Sequence, residues 1–305
     1  GEPDRLGGAA REAWEALVAA GGRAEALADV DPADADVCVD ALLGTGLDRP
    51  VRGAIGDAIG RLRDGPPVLA LDIPSGLQAD TGAVMGMAVR ADATITFIGA
   101  KRGLFTGAGP DWTGPVFLDD LDTPAAIRRD DDRPVWPIRA GAAAALPAPL
   151  RPCAHKGDRG RLLVIGGDDG FAGAVRMAGE AALRGGSGLV TVATRAAHAP
   201  ALAAARPELM ARGVEDPARD LPALLDGADA VVAGPGLGRG DWGRAVLAAL
   251  RETPGPPLLL DADGLNLLAE HADPLPAPAL ITPHPGEAGR LLVRDAAAVQ
   301  ADRFA

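Results

Sequence analysis

The chain has two cysteines in 305 residues, Cys38 and Cys153, and they lack metal-ligand spacing. That excludes a disulfide framework and points to a reducing compartment. Cys38, inside the apolar run VCVDALL, reads as a small core residue. No apolar run reaches the length of a membrane span and no signal peptide is visible, so a cytoplasmic protein without a membrane partner is expected. Positive charge is also short: 30 Lys and Arg against 42 Asp and Glu leave a net charge of -12, which argues against a nucleic-acid partner. Any bound phosphate would have to be held by backbone N–H groups, helix N-termini and a few cations. Lysine itself occurs twice, at Lys101 and Lys156; serine twice, at Ser75 and Ser187; asparagine once, at Asn266. A residue type that a sequence otherwise avoids stays where an ammonium, hydroxyl or amide is needed. Chance is the alternative, since two lysines must fall somewhere. These residues nevertheless fall mostly in Gly- and Pro-punctuated motifs beside apolar runs, where function tends to sit in α/β proteins.

What is present is a globular composition, 48% hydrophobic with 41 glycines and 27 prolines, long enough for two domains. Short apolar runs alternate with helical stretches, the pattern of an α/β fold. VCVDALL (37–43), PVLALDI (67–73), ATITFIG (93–99) and, more weakly, PVFLDDL (115–121) read as strands, with IGDAIGRLR (55–63) a helix. Their apolar character predicts burial on both faces of a parallel sheet. Residues 122–152 are rich in Pro, Ala and charge and read as a connection, with RRDDDR (128–133) as solvated text. Alternation resumes with strands at RLLVIGG, LVTVAT, DAVVAGPGLG, PLLLDAD and ALITPHPG. Helices are expected at AGAVRMAGEAALR, near 198–205 and 218–226, at WGRAVLAALRE and at DAAAVQADRFA. The domains are thus expected at 1–121 and 153–305, with separate sheets.

Several motifs follow strand ends, where open α/β sheets bind ligands. VDALLGTGLDRP offers Asp40 with Gly44 and Gly46, whose backbone could approach a phosphate or ribose. LALDIPSGL offers Asp72 and Ser75; with Asp40 they would make an oxygen-rich cation or sugar site, although taken singly such text is more often a turn. VIGGDDGFAGA and AGPGLG are Gly-rich turns that could lie against an anionic ligand, a weak signal by itself. LLLDADGLNLL supplies Asp261, Asp263 and Asn266, and ITPHPGEAGRLL supplies His284 and Glu287. A histidine between two prolines is held rigidly, a poor use of a merely solvated residue. His198 and His271 sit in ordinary surface text and receive no role.

Together, in this order and spacing, these motifs resemble the bifunctional NAD(P)H-hydrate repair family. VDALLGTGLDRPVRG, LDIPSGL and FIGAKRGLFTG are similar to its YjeF N-terminal-type epimerase. HKGDRGRLLVIGG, AGAVRMAGEAALRGGSGLVTVAT, GPGLG, DADGLNLL and ITPHPGEAGRLL are similar to its ADP-dependent dehydratase. The resemblance implies two three-layer α/β domains with mainly parallel sheets, a Rossmann-like epimerase part and a ribokinase-like dehydratase part. It implies that Asp40 and Ser75 hold potassium. Gly44, Thr45, Gly46, Leu47, Asp48, Arg49 and Pro50, with Asp72, would form the hydrate-binding surface. Ala174, Gly236 and His284 would bind the hydrated nucleotide, with Asp261 and Asn266 as a polar strand end nearby. The implied substrates are the hydrates of NADH and NADPH with ADP, Mg²⁺ accompanying the nucleotide, in a homo-oligomer. For Lys101 and Lys156 it gives a position without a role.

The family's Asn-Asn-Gly-Gly-Asp-Gly loop and its Gly-x-Gly-Asp turn, which bears the catalytic aspartate, are absent from the sequence. No catalytic residue is therefore assigned. The chain, which begins at Gly1, is expected to be an internal piece that alone does not recover NADH from its hydrate. The rival expectations are a kinase of the same fold acting on a vitamin-precursor alcohol, and a non-catalytic nucleotide-binding fragment.

Overall fold

The computed structural model of the chain describes residues 6–124, 135, 141, 151–270, 275 and 278–304. The expected connection at 122–152 lies mostly outside these residues, as do RRDDDR and His271. The chain divides into two compact units, Gly1–Pro137 with Ala301–Ala305, and Ile138–Gln300.

The first unit contains helix α1 (Ala9–Ala19), which buries no residue, then strand β1 (Cys38–Asp40), helix α2 (Gly53–Leu62) and strands β2 (Val68–Leu71), β3 (Ala93–Phe97) and β4 (Val116–Asp119). The strands form a four-stranded sheet in the order β1-β2-β3-β4, every pair parallel, with Asp40 opposite Ala70. α2 packs Ile59 against Val68 and Val89, with Cys38 and Leu42 partly buried beside them. A second cluster of Ile73, Leu77, Ala79 and Leu104 lies under the segment that follows β2. Burial on both faces holds for the central strands alone. Val39 on β1 is 59% exposed and Phe117 on β4 is 58% exposed. These are edge strands, and an apolar run cannot distinguish an edge from a centre.

The second unit opens with a short turn, Lys156–Arg159, and strand β5 (Arg161–Ile165). Helix α3 (Ala172–Arg184), strand β6 (Leu189–Thr194), helix α4 (Ala199–Ala205), strand β7 (Leu209–Gly213), helix α5 (Pro217–Asp226) and strand β8 (Ala230–Ala233) follow. Helix α6 (Asp241–Glu252), strand β9 (Leu258–Leu260), helix α7 (Asp263–Glu270), strand β10 (Ala279–Ile281) and helices α8 (Pro285–Leu292) and α9 (Ala296–Ala301) complete it. Its six-stranded sheet runs β10-β9-β8-β5-β6-β7, and every pair is parallel. Alternate residues of β5 face opposite layers. Leu163 and Ile165 join a core that contains Leu221, Val246 and Leu265 from α5, α6 and α7. Val164 joins the opposite core with Val175 and Leu202, from α3 and α4. Both faces are thus covered, as a parallel sheet requires. Strands β5 to β7 run outward one way and β8 to β10 the other, so the order reverses between β5 and β8. Such a reversal opens a crevice at the carboxyl ends of the two strands.

Candidate functional site

In the first unit the end of β1 and the segment after β2 are tied together by one carboxylate. Asp40 is 1% exposed, and so is Ser75. The Ser75 hydroxyl donates to Asp40 Oδ1 at 2.6 Å, and its backbone N–H donates to Oδ2 at 2.7 Å. Leu42 N–H donates to Oδ1 at 3.2 Å, Leu43 N–H donates to Ser75 Oγ at 2.8 Å, and Leu43 O lies 3.2 Å from that oxygen. The two side chains therefore converge beside the turn that begins at Gly44. The set consists of oxygens alone; Asp40 Oδ1 accepts two bonds, while Asp40 Oδ2 and Ser75 Oγ accept one each and keep a lone pair to spare. That is the donor chemistry of a hard cation. Among the described residues no group of three or more His, Cys, Asp and Glu stands together, so nothing there matches a transition-metal site.

The turn at 44–50 is exposed apart from a half-buried Leu47. Neither Gly44 nor Gly46 has positive φ, and a Cβ added at either would meet nothing within 4 Å. The fold itself does not require glycine at these two positions. Their missing side chains leave bare backbone open to an incoming molecule.

Asp72 stands next to this turn with φ of 69°, and Ile98, after β3, has φ of 65°. A positive φ is costly for both residue types, and for β-branched Ile98 it is an outlier. Thr45, Asp72, Phe97, Ile98, Gly99 and Lys101 line an open cleft of 390 Å³. Lys101 Nζ pairs with Asp72 Oδ1, a partner that the sequence did not disclose because the two residues lie on separate loops.

In the second unit the Gly-rich turns after β5 and β8 meet at the reversal of strand order. Gly167 N–H donates to Pro235 O at 3.1 Å and Asp168 N–H to Gly236 O at 2.7 Å. A Cβ at Gly236 would stand 3.0 Å from that of Ala174 at the start of α3, so Ala174 and Gly236 share one spot. The glycines of these turns permit this close mutual packing. Asp263 and Asp168 flank the second turn. Asp263 Oδ2 accepts Gly238 N–H at 3.0 Å, and Asp168 Oδ2 would lie 2.8 Å from a Cβ at Gly238. Arg195 holds Asp168 at 3.0 Å and Glu215 at 3.2 Å, with its guanidinium 5.3 Å over the Trp242 ring. Sequence reading passed over Asp168 and Arg195, since arginines and aspartates are abundant here. It also passed over His198, whose Nδ1 lies 3.0 Å from Gly167 O and so carries the proton that this carbonyl accepts.

Asn266 donates to Asp263 Oδ1 at 3.2 Å and accepts from Arg290 of α8 at 2.8 Å, so it links α7 to α8. Asp261 follows β9 beside Gly234. His155 and Lys156 precede β5, at the opposite end of the sheet from the crevice. His284 is the N-cap of α8. Its Nδ1 accepts Gly286 N–H at 3.0 Å and Glu287 N–H at 3.4 Å, and Nε2 lies 3.3 Å from Glu287 Oε1. Glu287 Oε2 returns the contact to His284 N–H at 2.9 Å, completing a capping box. Both ring nitrogens are thus engaged within its own helix, although the side chain is 63% exposed. The rigidity between two prolines has a structural reason. His284→Ala should cost about 1 kcal/mol, as caps generally do, rather than the negligible amount expected of a surface histidine. Urea unfolding of the two proteins measures this.

Two family models match the chain. One, described as YjeF-related protein N-terminus, covers residues 1–103, and the other, NAD(P)H-hydrate dehydratase, covers 162–304. The bifunctional NAD(P)H-hydrate repair enzyme Nnr of Escherichia coli K12 is 46% identical over 97% of this chain and 56% of its own length. Its namesake from Coxiella burnetii is 48% identical over 88% of this chain and 55% of its own. The chain therefore spans little more than half the length of these relatives. Among solved structures, an ADP/ATP-dependent NAD(P)H-hydrate dehydratase from Bacillus subtilis is 27% identical over 53% of this chain and 58% of that one, with a TM-score of 0.46. One model thus falls on β1 to β3 and the other on β5 to β10, the relatives matched are named bifunctional NAD(P)H-hydrate repair enzymes, and the chain belongs to that family.

Proposed function

We propose that the protein repairs hydrated NADH and NADPH, with the first unit interconverting the two hydrate epimers and the second taking part in ADP-dependent dehydration of the S form. The observation that carries the reading is the bare turn at 44–46, set between the Asp40–Ser75 oxygens and the Asp72–Lys101 pair at adjacent strand ends. The turn backbone offers N–H groups to an anionic nucleotide, and Asp72 offers a hydroxyl acceptor. Asp40, Ser75 and the Leu43 carbonyl would hold potassium, which when bound supplies positive charge beside the turn. In the second unit Ala174 and Gly236 present a flat, side-chain-poor wall at the switch point, with Asp261 and Asn266 at the neighbouring strand end. ADP is the phosphate donor there: the ring hydroxyl oxygen would attack its terminal phosphorus with AMP leaving, and inorganic phosphate would then depart with that oxygen as the adjacent ring proton is lost, restoring the dihydropyridine. Mg²⁺ would accompany the nucleotide phosphates, as is usual for that ion. No residue of this chain is assigned to the transfer. We place this chemistry in the cytoplasm; among the described residues no helix is long and apolar enough to cross a membrane.

The test is equilibrium dialysis of the protein against the R and S hydrates of NADH, in potassium and in sodium buffers, with Gly46→Val alongside. The wild type should retain both hydrates, more firmly in potassium. Gly46→Val should bind about tenfold more weakly through a clash with the ligand alone, with stability changed by under about 0.5 kcal/mol. Equal binding by the variant would remove the turn from the site, and no hydrate binding by the wild type would end the proposal.

A further inference from the structure

Lys101 is one of two lysines in a chain that otherwise uses arginine, and the function above names it only as the partner of Asp72, without a role of its own. Its surroundings show what it does. The ammonium has three N–H bonds, and the protein takes all of them: Nζ donates to Asp72 Oδ1, to Thr96 Oγ1 at 3.1 Å and to Phe97 O at 2.9 Å. None is left over for a ligand. Asp72 is divided unequally by the same contacts. Oδ1 also accepts Phe97 N–H at 3.2 Å and the Thr96 hydroxyl at 3.4 Å. Oδ2 accepts nothing from the described residues. Thr96 is fully buried, so the floor of this arrangement is fixed, while the Asp72 side chain keeps 28% of its surface open to the cleft that Thr45 shares. The positive φ of Asp72 and of Ile98 aims the two loops at each other at a conformational cost that the network must hold.

We infer that Lys101 is a positioning residue: it commits Asp72 Oδ1 to the protein, so that Oδ2 alone accepts a hydroxyl of the nucleotide hydrate. This rests on the hydrate reading of the first unit and deepens it. Arginine cannot take the place unchanged. Its planar fork cannot reach three acceptors arranged around one nitrogen, which explains why lysine persists at this position. A ligand hydroxyl meeting a carboxylate of fixed orientation gains a charge-assisted hydrogen bond without reorganising its partner.

The experiment combines binding with structure. Dissociation constants for the R hydrate of NADH are measured by equilibrium dialysis for the wild type, Lys101→Met, Lys101→Arg, Asp72→Asn and the double variant Lys101→Met/Asp72→Asn. Thermal unfolding confirms that each is folded, and a crystal structure is determined for Lys101→Met. Lys101→Met should weaken binding roughly tenfold to a hundredfold, the loss typical of one charged hydrogen bond. Lys101→Arg should recover part of that loss, and the double variant should bind no worse than Asp72→Asn, because Lys101 acts only through Asp72. Additive losses, or unchanged affinity in Lys101→Met, would overturn the inference. If even the wild type does not bind the hydrate, the functional reading fails, and the crystal structure then decides the positioning claim by itself. An Asp72 carboxylate turned away from Phe97 N–H upholds it, and one left in place refutes it.

Discussion

Replacing Asp40 by alanine is expected to destabilise the first unit by about 3–5 kcal/mol, far more than deleting a carboxylate at a turn would. The reason lies in what the carboxylate satisfies. Its two oxygens accept the hydroxyl and N–H of Ser75 and the N–H of Leu42, at 2.6, 2.7 and 3.2 Å, with Asp40 1% exposed. Without it the Ser75 hydroxyl can turn to Leu43 O, 3.2 Å away, but the two N–H groups have no such alternative. Each polar group left unpaired in a buried place costs about 1–3 kcal/mol. Ser75→Ala removes only the hydroxyl and should cost about 1–3 kcal/mol by the same argument. Amide exchange at residues 38–46 and 70–78 reads the effect directly. Protection should collapse in Asp40→Ala and survive, reduced, in Ser75→Ala. If the two variants exchange alike, the N–H groups of Leu42 and Ser75 find other partners and Asp40 is not the knot of this site. A potassium-dependent gain in protection in the wild type, lost in Asp40→Ala, would separately identify the cation.

The elements most legible in the sequence were those whose signals agree at every level. α3 begins at Ala172 and ends at Arg184 before two glycines, as its apolar spacing and its stop signal indicate. β6 is LVTVAT from end to end. The strand at Leu209–Gly213 escaped notice because it is an edge: its sequence, LMARG, is polar where it meets solvent and shows neither alternation nor an apolar run. α7 escaped for a different reason. DGLNLLAE carries a glycine and an asparagine, both poor in helix interiors. Gly264 is nonetheless needed, because a Cβ there would stand 2.6 Å from Leu260 of the adjoining strand. Close packing of helix on strand overrides propensity at that position. The sites follow the same division. Scarcity led to Ser75, Asn266 and Lys101, each of which makes a specific contact. It could not lead to Asp168 or Arg195, which belong to abundant types, nor to the Asp72–Lys101 pairing, which depends on two loops that meet only in the fold.

Gly234→Ala should be a strongly damaging substitution in the second unit, at about 3–5 kcal/mol. Gly234 follows β8 with φ of 125°, outside the left-handed region that other residues enter. A Cβ there would stand 1.8 Å from Asp261 O and 3.2 Å from Asp261 N. Asp261 cannot retreat, because its own N–H is bonded to Ala233 O at 3.0 Å in the ladder that joins β8 to β9. The backbone conformation costs about 1–3 kcal/mol for a non-glycine residue, and the overlap adds a similar amount. The displacement would also reach the site. The turn that begins at Gly234 carries Gly236 against Ala174 and Gly238 against Asp263, so a shift of the turn pulls apart the wall at the switch point. Urea unfolding followed through Trp242, whose indole is buried in this unit and donates to Val214 O at 2.9 Å, measures the loss. The midpoint should fall while the denaturant slope stays constant, since the surface exposed on unfolding is unchanged. A loss below about 1 kcal/mol would show that β8 and β9 part at little cost, and the turn would then be a mobile lip of the crevice rather than its fixed wall.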